Sequence, residues 1–236
     1  MSYEKFYRFY DIVMDDRSAV GQFLSGLIVA YHPRAKTLLE LACGTGSILG
    51  YLSNRYEVSG LDRSRPMLSI ARQKLPHIKF FRQDMARFRI AKQFDAIVCV
   101  FDSLNHLLRF SDWEKTFRQA ARHLHADGLF VFDVNTLGKL QRLATGPAWV
   151  RQFAQDTVII KVTGGERALF AWDVKIFEHR EKDHYRLHHE TIREIALPYK
   201  TILNGLRQRF RQVKVIDPEG RRPSDQSERL FFVCRK

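Results

Sequence analysis

A chain of 236 residues, 45% hydrophobic and 28% charged, has an ordinary globular composition, and its length suits one generous α/β domain or one domain with a sizeable insertion. Its 39 Lys and Arg against 26 Asp and Glu give a net charge of +13, compatible with a nucleic acid, an anionic small substrate or simple solubility. No run of about 18 apolar residues is present, which excludes a membrane-spanning helix.

The chain opens MSYEKFYRFYDIVMDD, without the apolar stretch of a signal peptide. Tyr3, Tyr7 and Tyr10 with Phe6 and Phe9 read as the apolar face of an amphipathic helix, with a Tyr hydroxyl free to reach an active site. From residue 37 short apolar runs alternate with helical stretches. TLLELA (Thr37 to Ala42) reads as a buried strand, followed by glycines and a helix from Ser47 to about Asn54. EVSGLD (Glu57 to Asp62) is a second strand. Ser64 can cap the next helix, with Pro66 in its first turn, running to about Lys74. IKFFRQD is a third strand, and FDAIVCVF (Phe94 to Phe101) a fourth, apolar enough to be central. Ser111 and Glu114 read as a capping box opening a helix to about His123. Gly128 then precedes a fifth strand, LFVFDV.

The alternation predicts an α/β fold with a parallel, doubly wound sheet. From Ala148 to Ala196 the runs become strands without helices (VIIKVT, ALFAWDVKIFEH, YRLHHETIREIAL), which reads as an inserted antiparallel sheet. Pro198 opens another helix to about Arg209, and VKVID with RLFFVCRK reads as a closing antiparallel pair. The expected organisation is 1–136 for the ligand-binding part of the core, 137–196 for the inserted β subdomain and 197–236 for the completion of the core. Cys43, Cys99 and Cys234 are scattered and odd in number, fitting reduced thiols in the cytoplasm rather than a disulfide or zinc framework.

The basic charge is unevenly spread. Residues 63–92 hold nine basic residues and one acidic, Asp84; residues 200–236 hold ten and four. Both stretches are interleaved with apolar residues, so they read as a solvated basic surface rather than a polymer-binding tail.

The chemistry concentrates in LLELACGTGS. Gly44 and Gly46 follow the first strand, where a tight turn lets a ligand approach the backbone, at the strand end where open α/β sheets bind ligands. A dinucleotide fingerprint wants G-x-G-x-x-G/A, yet Leu49 holds its third position. Glu40 beside the turn repels a pyrophosphate and favours a ligand with an amino group and a sulfonium. Asp62, ending the second strand, can accept from ribose hydroxyls, and Asp84 from an adenine amine, with Met85 against the ring.

With LLELACGTG, GLDRS, RQDM, FDAIVCVFDSLNHL and HLHADGLFVFDVN in order over residues 37–135, the chain resembles the class I S-adenosylmethionine-dependent methyltransferases. It is similar in particular to the small-molecule branch with an antiparallel insertion after the fifth strand, the plan of glycine and sugar-amine N-methyltransferases. The resemblance implies a Rossmann-like seven-stranded sheet and S-adenosyl-L-methionine as cofactor, S-adenosyl-L-homocysteine being the product. By position it implies that Glu40, Ala42, Gly44, Thr45 and Gly46 surround the methionine part. Asp62 and Arg63 are implied at the ribose, Asp84 and Met85 at the adenine, Met67 among the remaining contacts and Phe101 near the transferring methyl.

For the acceptor side the expected residues are Tyr10, Asp102, Asn105 and His106, with His106 as the candidate base. Asp102 and Asn105 serve equally well as loop or capping groups. His179, His184, His188 and His189 suggest a metal at first sight, but alternation puts His188 and His189 on opposite faces, and no metal site is expected. The expected function is methyl transfer to nitrogen or oxygen of a small-molecule acceptor. An RNA methyltransferase using the basic surface is the alternative, though no RNA-binding motif is present, and a non-catalytic cofactor-binding protein is another. After the fourth strand Asp102-Ser103-Leu104-Asn105 does not match the Asp/Asn-Pro-Pro-aromatic of adenine-directed DNA enzymes.

Overall fold

The computed structural model describes residues 6–14 and 17–236; Tyr3 lies outside them. A 3-10 turn (Phe6–Arg8) and a short helix α1 (Tyr10–Met14) lead into α2 (Ser18–Tyr31). There follow β1 (Thr37–Leu41), α3 (Ser47–Leu52), β2 (Glu57–Asp62), α4 (Arg65–Lys74), β3 (Lys79–Arg82) and β4 (Phe94–Cys99). A 3-10 turn (Ser103–His106) precedes α5 (Phe110–His123), β5 (Leu124–Asn135) and α6 (Leu137–Thr145). Four strands come next: β6 (Trp149–Phe153), β7 (Asp156–Gly164), β8 (Leu169–Glu181) and β9 (His184–Ile195). The chain ends with α7 (Tyr199–Arg207), β10 (Gln212–Ile216) and β11 (Arg229–Arg235).

The main sheet has the order β10-β11-β5-β4-β1-β2-β3. It is parallel except for β11, which runs antiparallel to both β5 and β10. Alternation splits its core between two faces. Phe130 and Phe132 of β5 point to the side of α5 and α7, where Trp113, Phe117, Leu206 and Phe210 bury them. Leu129 and Val131 point the other way, onto Leu24, Ile28 and Leu49. Phe132 stacks on Phe232 of β11 with ring centroids 4.8 Å apart, an aromatic pair that stabilises by about 1 kcal/mol beyond its buried area. All three cysteines are buried free thiols.

The second sheet, β6-β7-β8-β9, is antiparallel throughout. Its Val158, Val174, Ile176 and Ile192 are buried against Phe6, Phe9 and Val13, so the amino-terminal aromatic residues pack between the inserted sheet and the core. Among the described residues no helix is long and apolar enough to cross a membrane.

Two local readings change. The capping box does not form: α5 begins at Phe110, with Arg109 in extended conformation before it and no side-chain cap. The start moves because Phe110 is drawn against Gly205 of α7, leaving a Cβ there only 2.9 Å from the ring. Helix α6 was unassigned by pattern. It is capped by Thr136, whose Oγ1 accepts from the Lys139 N–H at 3.2 Å, a side-chain bond of the usual N-cap kind.

Candidate active site

A cleft of about 750 Å³, open to solvent, lies at the carboxyl ends of β1, β2, β3 and β4. Ten expected residues line it: Tyr10, Ala42, Gly44, Asp62, Arg63, Met67, Asp84, Met85, Phe101 and His106. Gln83, Ser64 and Ser103 line it as well.

The turn after β1 explains its own sequence. Ala42, Gly44 and Gly46 have φ of 55°, 55° and 80°, in the left-handed region that glycine enters at least cost. At Gly44 a Cβ would meet Cε1 of Tyr10 at 3.7 Å and, chain neighbours aside, no other atom of the described residues within 4 Å, so the turn leaves open floor beneath the Tyr10 ring. Asp62 braces this floor. Its carboxylate accepts from the Gly44 N–H at 2.9 Å and the Ser64 N–H at 2.7 Å. Burial pushes the Asp62 carboxyl up, against the pull of these backbone donors. Asp84 accepts from the Ala86 N–H at 2.9 Å, which holds the end of β3 in register with the rim.

Five expected residues do not line the cleft. Gly46 precedes α3 with φ of 80°, a left-handed conformation that strains any side chain, and a Cβ there would also press on Leu75 at 3.1 Å. Thr45 is buried and turns away, its Oγ1 donating to Asp11 at 2.5 Å. Asp11 also accepts from Ser47 at 3.2 Å and Lys74 at 2.9 Å. Thr45 thereby tethers α1 and holds Tyr10 over Gly44. Asn105 is fully buried: its amide donates to the carbonyls of Asn135 at 3.0 Å and Ile195 at 2.9 Å, and its oxygen accepts from the Asn135 N–H at 3.1 Å. Its amide is spent on tying the 3-10 turn to both sheets.

Asp102 is half-buried behind the wall. Its carboxylate accepts from Arg229 at 2.7 Å, and its N–H donates to Asp133 at 2.7 Å. Phe101 and Asp102 have φ of 57° and 50°, two successive non-glycine residues in a sparsely populated region, at a cost on the order of 1–3 kcal/mol each. Arg229, which also pairs with Asp133, holds this corner in place.

Glu40 is 3% exposed, beneath the turn, and its Oε2 has no hydrogen-bond partner. Burial, with Asp62 adding repulsion, pushes its carboxyl up to about 8. Arg17 was not anticipated. Buried, with Nη2 unpartnered, its guanidinium lies 4.5 Å from the Tyr10 ring centroid and 4.3 Å from that of Phe101. Its charge opposes the rise of the Glu40 carboxyl.

None of His179, His184, His188 and His189 lines the cleft. His188 pairs with Glu178 at 2.7 Å and packs on Phe9; His189 pairs with Asp173 on the exposed side. Asp102, His106 and Glu194 do converge, each offering an atom within 4.8 Å of the others. Glu194 has no signal in the sequence beyond its place in an alternating strand.

A methyltransferase-domain profile matches residues 38–128. YqeM of Bacillus subtilis (strain 168), whose name says methyltransferase and no acceptor, is 31% identical over 249 residues, covering 100% of this chain and 98% of that protein. The chain belongs to the class I S-adenosylmethionine-dependent methyltransferases. A dTDP-3-amino-3,6-dideoxy-alpha-D-glucopyranose N,N-dimethyltransferase of Streptomyces fradiae is 34% identical to this methyltransferase over 111 residues, 47% of this chain and 44% of that one. The crystal structure of an S-adenosylmethionine-dependent methyltransferase from Clostridium acetobutylicum ATCC 824 matches its fold with a TM-score of 0.85 at 24% identity, over 100% of this chain and 99% of that one.

The cleft suits that cofactor. The open floor at Gly44 admits a ligand against backbone, and the unpartnered Glu40 oxygen answers an ammonium group. Asp62 keeps a carboxylate at the wall for hydroxyl donors after bracing the turn. A pyrophosphate would meet the Asp62 carboxylate at the wall with repulsion.

Proposed function

We propose that this methyltransferase transfers a methyl group to an amine nitrogen of a small molecule. Bound S-adenosylmethionine supplies an electrophilic methyl on a sulfonium. In this reading Glu40, Ala42 and Gly44 hold the methionine part, Asp62 and Arg63 the ribose, and Asp84, Met85 and Met67 the adenine side. Tyr10, stacked under Arg17, closes over the cofactor and excludes water, and Phe101 flanks the methyl. The inserted strands 149–195 form the acceptor side.

The observation that carries the choice of nitrogen is His106. It lines the cleft, and burial holds its imidazole below its usual range, opposed by Asp102. A neutral imidazole backed by a carboxylate suits removal of a proton from an ammonium nucleophile. Aligning nucleophile and methyl while excluding water supplies the rest. The sugar-amine activity of the Streptomyces fradiae relative supports the same reading. The basic groove lined by Arg89, Lys92 and Arg122 adjoins the amino-terminal end of β4, at the opposite end of the strands from the cleft.

The test is incubation of the purified protein with S-adenosylmethionine bearing a deuterated methyl group and pooled small-molecule amines, alcohols and carboxylates, read by mass spectrometry. Labelled amines are expected. Label only on oxygen, or only on added RNA, overturns the proposal.

A further inference from the structure

Strand β9 delivers Glu194 to the carboxyl end of the main sheet. Three consecutive residues grip the turn that carries His106: the Arg193 carbonyl lies 3.3 Å from His106 Nδ1, and the Ile195 carbonyl accepts from Asn105 at 2.9 Å. Between them Glu194, 2% exposed, brings a carboxylate oxygen within 4.8 Å of atoms of His106 and Asp102. Its Oε2 accepts from the Asn135 amide at 3.1 Å. Asn135 in turn accepts from Lys139 at 2.8 Å and Arg229 at 3.2 Å.

We propose that Glu194 is a positioning residue acting through His106, and that it is the group from which the net proton of methyl transfer leaves the site. Conversion of R–NH3+ to R–NH2+–CH3 by a sulfonium, which becomes a thioether, releases one proton overall. Arg229 pairs with both Asp102 and Asp133, and Lys139 lies on Asn135, so two of the three carboxylates have a cationic partner and Glu194 is the one held by an amide. When a cationic acceptor docks against His106, Glu194 gives its proton to solvent by way of Asp102, whose side chain is 18% exposed. His106 then takes the ammonium proton beside a fresh carboxylate, and the nitrogen lone pair is free to form the N–C bond. After the product leaves, His106 returns its proton to Glu194, and the resting site is restored.

The electrostatics agree with this geometry. Burial, then Asp102, pushes the Glu194 carboxyl well above its ordinary value, with the Asn135 bond and Lys139 opposing. Asp102 stays low, because Arg229, Lys139 and His106 together outweigh its burial. Burial lowers Lys139, helped by Arg229. Burial raises Asp133 against the pull of Arg229. His106 is further pulled down by Arg63 and up by Asp62.

The inference rests on the amine reading, but its first test needs no acceptor. The full chain loaded with S-adenosylhomocysteine, with labelled Glu carboxyl carbons and His rings, is titrated by NMR. Glu194 is expected to titrate well above the ordinary carboxylate range, the His106 ring signals reporting that same step, and Glu194→Gln to abolish the step in the His106 signals. An ordinary titration of Glu194, or His106 signals blind to its ionisation, overturns the inference; the titration of the parent alone decides if the variant does not fold. With dTDP-3-amino-3,6-dideoxyglucose as amine probe, Glu194→Gln is expected to lower kcat about tenfold or more with the Kd for S-adenosylhomocysteine unchanged and partial rescue by Glu194→Asp. If the parent methylates no amine, the amine reading fails by itself, while the NMR result still judges Glu194.

Discussion

Substituting Glu40 by Gln should make this protein more stable at neutral and alkaline pH while impairing its cofactor site. Below the ordinary value of 4.5 Glu40 is neutral in folded and unfolded chains alike. Between 4.5 and about 8 the unfolded chain releases the proton and the folded chain keeps it, so folding loses about 1.4 kcal/mol for each pH unit crossed. The loss approaches about 3 kcal/mol near pH 7 and about 5 kcal/mol once pH exceeds the folded value. Glu40→Gln keeps the shape and abolishes this dependence. Urea unfolding of parent and variant without cofactor, at about pH 5 and at about pH 8, isolates the term as a difference of differences. The variant should gain several kcal/mol on the parent over that interval. Binding of S-adenosylhomocysteine, whose ammonium favours the carboxylate, should release close to one proton near pH 7 in the parent and none from this position in the variant. Calorimetry in buffers of unlike ionisation enthalpy reads that proton. Parallel stability curves for the two proteins would refute the reasoning.

Asp62→Ala removes the acceptor for the Gly44 and Ser64 N–H groups, charge-assisted bonds that contribute about 1.5–3 kcal/mol each. Calorimetry should show S-adenosylhomocysteine affinity reduced roughly a hundredfold or more, and a small change would mean that the turn stands without its brace. Asn105→Ala leaves buried carbonyls of Asn135 and Ile195 without their donor; unfolding should become easier by about 2–4 kcal/mol, with cofactor affinity nearly untouched. Asp11→Ala unties α1 from Thr45, Ser47 and Lys74. Stopped-flow release of S-adenosylhomocysteine should accelerate severalfold, and an unchanged rate would show that Tyr10 needs no tether.

The cleft was legible because it is nearly local. Gly44, Asp62 and Asp84 end three successive strands, and period-2 and helical patterns place strand ends without knowledge of distant contacts. Even there, residue type told less than position: Thr45 and Gly46 belong to the motif yet serve the tether and the packing of α3. Arg17 escaped notice because nothing local marks it; its importance comes from aromatic rings brought to it by folding. The cluster around His106 is built differently. His106 follows β4, Glu194 ends β9 and Arg229 opens β11, so their meeting depends on the register of pairings about a hundred residues apart, which alternation in one strand does not encode. The inserted sheet looked like a source of histidines, yet His188 and His189 are committed to carboxylates within their own sheet. Its one buried carboxyl, Glu194, is the side chain that reaches the turn carrying His106. Altering β9 or β11 retunes charge around His106 while leaving the Gly44–Asp62 brace, which belongs to other strands, intact.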